Sequence, residues 1–464
     1  MSARREQYLD VARSQLQLER AANAVRTRRP RSRKRASSLF KLSGPHYEQI
    51  FSFAWRGYAS FLAEFGVARP LKSVHSRGTP IARVFHVISH FVGSFIKRLR
   101  PRNLGLFFLL AALLFPQRSL SAFETDQYNL PPQPLADIGN EVSEHVEQRM
   151  RDAVDKVNAE ILMLRKCLET ELADKKQTGC DSPRAATSRL EYLRSEDGIS
   201  REVFEQLGGG VPPFTSMGTW MDSHSFVAQP ARFRTSYRKS IFILNPIIAL
   251  TISPTVNLYG SEFGTDKIAH IFQQGYTYYK TYRSALTNGA TPEEARMRAV
   301  RWGQKSERTF YGTLVAGVYS NADLSANYAG LKFYEALTHP VRIGDATWAA
   351  VLELHDGLWK LSDNPYAREA LLKPFISDHL NEALNPSIFT KNLGWHSYIR
   401  WSVRKRSCAQ WINRYRGLSR EGLEERSRAL QLWYGEDYGF TDSGHFITIA
   451  NTCFEDQVAR AARP

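Results

Sequence analysis

The stretch GTDKIAHIFQQGYTYYKTY, residues 264–282, sets Asp266, Lys267 and His270 on the first turns of a helix. Residues four apart share a helix face, so Asp266 stands beside His270, with Gln273 or Gln274 next along. From here onward the chain reads as mostly helical. TPEE (291–294) places Thr291 at the N-cap, Pro292 at N1 and Glu294 at N3, a complete capping box for a helix running through ARMRAVRWGQKSERTFYG. Another helix opens at SNADLSANYAGLKFYEAL (320–337), where Ser320 caps and Asp323 occupies the positive first turn. Further helical segments are expected around 346–361, 365–384 and 420–434.

Upstream, Ile138, Val142, Val146, Met150, Val154, Val157, Ile161, Leu164, Leu168 and Leu172 recur at steps of three and four, a long amphipathic helix over 140–175. Residues 123–139 read as a Pro-containing linker and 175–236 as irregular. LGGGVPPF (207–214) reads as a loop, because no Lys-Ser/Thr and no helix start follow its glycines. The uncharged, β-branched SIFILNPIIALTISPTVNLYG (240–260) suits a buried extended segment, since its prolines and asparagines disfavour a membrane helix. The expected fold class is mainly α: a multi-helix globular domain with irregular loops over 176–464, whose polar core segment is 264–337, preceded by a signal peptide or signal anchor.

The net charge of +16 is not spread over the chain. Residues 1–122 hold 22 Lys and Arg against 5 Asp and Glu, leaving 40 basic and 41 acidic residues for the remainder. The larger part is therefore neutral, and nucleic acid is not an expected partner. IKRLRPRN (96–103), LGLFFLLAALLF (104–115) and RSLSAF (118–123) follow the order of a secretory signal: basic region, apolar core, small-residue cleavage site. The apolar run is shorter than the ~20 residues of a comfortable span. Cleavage is favoured over an uncleaved anchor across 96–122, and only such an anchor would hold the chain in the membrane. Either way, the residues beyond Ser121 are expected outside the cytoplasm. Residues 1–95, with RTRRPRSRKR at 26–35, are expected to be a disordered or non-native basic extension, with a true start near Val92.

Cys167, Cys180, Cys408 and Cys453 all lie beyond the signal, where they can pair in any of three connectivities. Cys167–Cys180 would close a short loop and Cys408–Cys453 would tie down the C-terminal segment. No CxxC, G-x-S-x-G, H-E-x-x-H or P-loop pattern occurs, which removes the usual handle for zinc, serine-hydrolase, zincin and nucleotide chemistry.

Asp266, Lys267 and His270 on one helix, Glu307 near the end of the next, and Asp323, Asn327 and Gly330 on a third are joined by short connections and can meet. This D-K-x-x-H … E … D-x-x-x-N-x-x-G set resembles the signature of VanZ-like envelope proteins, and its first half is similar to small YfiM-type periplasmic lipoproteins. The likeness covers 264–330. It implies a cell-envelope context and a shared polar cluster that pairs helices. VanZ-like proteins pass the membrane several times, whereas QQ, KTYR and RWGQKSER in these helices do not suit lipid.

Three readings fit the cluster. In the structural one, Lys267 pairs with a carboxylate and His270 bonds Asn327, fixing helix register. In the catalytic one, Glu307, among Trp302, Phe310 and Tyr311, is a general acid of raised pKa, with Asp323 its ionised partner and His270 in support. Asn327, Tyr311 and Gln274 would then hold substrate, and cell-wall glycan is the expected substrate class because a carboxylate pair is the minimal equipment for glycoside cleavage. A metal held by Asp266, His270, Glu307 and Asp323 has only a single histidine behind it, so neither metal nor cofactor is assigned. His379 and Glu382 in DHLNEALNP (378–386) read as a helix-end salt link. The sequence therefore points to an exported envelope protein. Its expected activity is that of a carboxylate-dependent hydrolase or lyase on cell-wall glycan; the alternative is a non-catalytic scaffold. It gives no oligomeric state.

Overall fold

The computed structural model describes residues 124–173, 182–211, 214–243, 245, 252–309, 312–313, 317–363, 370–389, 395–442 and 446–454. The basic extension, the signal segment, Tyr311 and Cys180 lie outside the described residues.

Helix α1 spans Gly139–Ala173. Ile138, Val142, Val146, Met150, Val154, Val157 and Ile161 are all buried, so the three-and-four spacing becomes one continuous apolar stripe. The stripe packs on α2 (Pro183–Leu193) and α3 (Glu196–Leu207). These two helices and α4 (Ser216–Ser223) correct the expectation that 175–236 is irregular. Each opens on a hydroxyl N-cap, Ser182, Ser195 and Thr215, that accepts a backbone N–H three residues on. The caps are present in the sequence, but the helices are too short for a long period to show.

Strand pairing is limited in extent. Among the described residues every sheet has two strands. Strand β1 (Glu124–Thr125) runs parallel to β4 (Ile252–Ser253). Residues 124–128 are buried rather than part of a free linker. Around the glycines, β2 (Gly210–Val211) pairs with β3 (Phe214–Thr215). Hairpin β5 (Thr255–Leu258) and β6 (Ser261–Gly264) leads into the central helices.

Helix α5 (Thr265–Ala269) passes through one wide π turn, His270–Gln274, into α6 (Gly275–Thr287). Helix α7 spans Pro292–Glu307 with both halves of the Thr291–Glu294 capping box formed. Strand β7 (Val318–Ser320) then feeds α8 (Asn321–Ala336), where the Ser320 hydroxyl accepts the Asp323 N–H. Helix α8 is buried along almost its whole circumference, as the centre of the domain must be. It crosses α6 at two glycines: a Cβ placed on Gly275 would lie 2.5 Å from Gly330 Cα, so side chains there would force the helices apart.

The expected helix at 346–361 is absent. Residues 341–361 form two hairpins instead, β8 (Val341–Ile343) with β9 (Ala346–Trp348), and β10 (Leu352–His355) with β11 (Leu358–Leu361). Asp356 and Gly357 both take positive φ, 52° and 69°, as a two-residue hairpin turn of matching twist requires. That Asp-Gly signal outweighs helical spacing. The expected helix over 365–384 is likewise reduced, in its described part, to single 3₁₀ turns at Lys373–Phe375 and Asp378–Leu380. Asn381 Oδ1 accepts the N–H groups of Ala383 and Leu384, which gives the backbone an alternative to helix.

After β12 (Ser387–Phe389), which pairs with β7, the chain ends in α9 (Trp395–Arg406), α10 (Cys408–Arg414), α11 (Arg420–Ala429) and α12 (Ile449–Cys453). The helix expected over 420–434 stops at Ala429, before a turn in which Tyr434 and Gly435 have positive φ. A Cys408–Cys453 disulfide ties α10 to α12. Among the described residues, buried apolar side chains form two cores. One gathers the α1 stripe, α3, α6 and α8; the other gathers Tyr128, Phe389, Trp395, Trp411 and the disulfide. Among the described residues no helix is long and apolar enough to cross a membrane.

Candidate functional site

The polar cluster stands at the seam of the two cores. Ile268 and Leu324, neighbours of Lys267 and Asp323, belong to the first core, and Ala383 and Leu384, next to Glu382, belong to the second. Lys267 has 0% exposure. Its Nζ donates to Asp266 Oδ2 at 2.5 Å and to Glu382 Oε1 at 2.5 Å, and forms an ion pair with Asp323 Oδ1. One ammonium thus joins α5, α8 and the loop after the second 3₁₀ turn. Burial alone would pull its pKa down, but Asp266, Asp323, Glu382 and Glu124 outweigh that and hold it well above the usual lysine value.

The surrounding bonds fix each carboxylate. Thr125 Oγ1 donates to Asp266 Oδ1 at 2.5 Å, which ties β1 to α5. Ser320 Oγ donates to Glu382 Oε1 at 3.1 Å, and Gln127 Oε1 accepts the Glu382 N–H at 2.5 Å. The Ser320 N–H donates to Glu307 Oε1 at 3.0 Å, so Glu307 joins the cluster through a backbone group. His270 Nδ1 lies 3.0 Å from Asn327 Oδ1, and His270 Nε2 lies 3.5 Å from Asp323 Oδ2. At 17% side-chain exposure, His270 is the member that reaches towards solvent.

These surroundings push the carboxyls apart. Burial drives Glu307 well above the usual carboxylate range, with Asp323 adding to it. Burial, then Glu382 and Asp323, does the same to Glu124. Glu382 is raised by burial to about 7, against the pull of Lys267. Burial also opposes ionisation of Asp323, but His270, Lys267 and Ser320 overcome it and leave its pKa below the ordinary value. The surroundings therefore favour the ionised form of Asp323 and the protonated forms of Glu124 and Glu307.

The structure brings together Asp266, Lys267, His270, Asp323 and Asn327, with Glu307 one hydrogen bond away. Gln274 is buried in the π turn. Two members are not foreseen from the sequence. Glu124 lies in the stretch expected to be a linker, and Glu382 in the expected helix-end link to His379. In fact His379 Nδ1 faces Ser377 Oγ at 2.9 Å and its Nε2 faces the Leu432 carbonyl at 2.9 Å, leaving Glu382 to Lys267. Their one local mark is an acidic residue beside apolar ones. Trp395 and Ile399 of α9 belong to the second core. No family model, curated protein or solved structure matches the chain.

Proposed function

We propose that this chain is an exported envelope protein whose helical domain is a non-catalytic scaffold, locked by the Lys267 cluster. The observation that carries this reading is the fully buried Lys267 ammonium, shared by carboxylates from separate segments. A catalytic acid must reach its substrate, yet Glu307 and Asp323 are each 2% exposed. The signal-like order of 96–122, the likeness to envelope families and the Cys408–Cys453 bridge support the location. Fusion of residues 92–464 to a reporter active only outside the cytoplasm tests it, and a reporter that stays inactive in an export-competent host would sink the localisation.

A second reading, glycan cleavage, has one observation behind it. The environment separates a proton-holding Glu307 from an ionised Asp323, the division of labour that acid-assisted glycoside cleavage uses. Soluble fragments released from purified cell wall by the parent, and not by Glu307→Gln, would favour the hydrolase over the scaffold.

A further inference from the structure

Glu124, Asp323 and Glu382 come from β1, the first turn of α8 and the loop before β12. Each offers one carboxylate oxygen, and these oxygens lie within 4.8 Å of one another. A point no further than about 2.8 Å from all three exists for any triangle of that size, close to the oxygen distances of a calcium ion. All three residues are buried. Lys267 and Ser320 both engage Glu382 through Oε1, so its Oε2 has no hydrogen-bond partner; Oε2 of Glu124 has none either. Bare acceptors of this kind are rare inside proteins and call for a ligand or a proton.

The charge balance points the same way. Glu124, Asp266, Glu307, Asp323 and Glu382 face Lys267 and the half-buried His270. Even a protonated His270 leaves the ionised cluster negative. Protons on Glu124 and Glu382 would reduce the excess by two charges, and one divalent cation would reduce it by the same amount.

We propose that Glu124, Asp323 and Glu382 form a binding site for one hard divalent cation of the calcium, magnesium and manganese class. An all-oxygen donor set without cysteine or histidine suits that class and not zinc or copper. Lys267 remains the internal counter-ion on Glu382 Oε1. The site goes beyond the scaffold reading and does not depend on it, since a cation could serve either a clamp or a catalyst. It also differs from the set considered from sequence, sharing only Asp323 with it.

The test uses the whole chain, stripped with chelator and titrated separately with calcium, magnesium and manganese chloride by calorimetry, with bound manganese followed by electron paramagnetic resonance. The expected result is one ion per chain for at least one metal, with a rise in Tm. Glu124→Gln and Glu382→Gln should each weaken binding at least about tenfold, while the surface variant Glu293→Gln leaves it unchanged. Lack of binding by all three ions up to about 10 mM to a folded parent overturns the site, because even weak extracellular sites bind below that. Undiminished binding in a folded Glu124→Gln overturns it equally. Should both cluster variants fail to fold, the parent's manganese signal decides: saturation at one ion per chain supports the site, and a signal that does not saturate rejects it.

Discussion

The Lys267 ammonium and the Glu382 carboxylate lie 2.5 Å apart, both without solvent exposure and 115 residues apart in sequence. Such a pair is weak evidence of net stability, because two charges lose their hydration to form it. Breaking it by removing one partner is another matter, since the survivor is stranded. That asymmetry governs how the cluster responds to pH and to substitution.

Stability should fall as pH rises through the weakly acidic range. Glu382 titrates near 7 when folded and near 4.5 in the open chain, so between those values the native state binds more protons. Stability then declines by up to about 1.4 kcal/mol per pH unit for each such group. Glu124 and Glu307, raised for the same reason, add to the slope. Asp323 has the opposite sign: its contribution is present above 3.8 and lost as pH falls through its lower folded value. Thermal midpoints in chelator-containing buffer should therefore peak near the ordinary carboxylate range, and Glu382→Gln should flatten the fall towards pH 7. A maximum at pH 8 would contradict this.

Glu307→Gln should leave the fold nearly unchanged. Burial and Asp323 favour the neutral form of Glu307, which glutamine matches in size and charge, and the new carbonyl can still accept the Ser320 N–H. Urea denaturation should place the variant within about 1 kcal/mol of the parent. On the scaffold reading, neither protein releases fragments from cell wall.

Gly330→Ala should cost about 1–3 kcal/mol, the range for overpacking. Its methyl would meet the Ile271 carbonyl and Gly275 Cα, which are backbone atoms that cannot rotate away. A variant as stable as the parent by urea denaturation would show that α6 and α8 have slack at their crossing.

Replacing both Cys408 and Cys453 by serine should cost about 2–4 kcal/mol, since the bridge closes a long loop. Those residues are 45 apart and belong to the second core. Loss of the α12 region alone, seen as faster hydrogen exchange over 446–454, is the expected local signature.

The central helices are legible in the sequence because their signals are local. Thr291, Pro292 and Glu294 announce α7, and Ser320 with Asp323 announces α8, within one turn each. The pairing of His270 with Asn327 follows from placing those helices side by side. Glu124 and Glu382 are not legible, because neither sits in a periodic segment and their partners are remote in sequence. The hairpins at 341–361 escape for a different reason. Their strands are three or four residues long, and tight turns at Gly344 and at Asp356-Gly357, rather than any alternation, mark them.

A double-mutant cycle on Lys267 and Glu382 tests the clamp most directly. Lys267→Met strands Asp266, Asp323 and Glu382 and should cost about 3–5 kcal/mol by itself. Glu382→Gln lowers the cluster's excess negative charge but removes one of the lysine's ionic partners. If Lys267 is the tie between segments, the cycle should return a coupling of about 1.5–3 kcal/mol by urea denaturation. Two losses that simply add, to within about 0.5 kcal/mol, would mean that the ion pair does not hold the fold together.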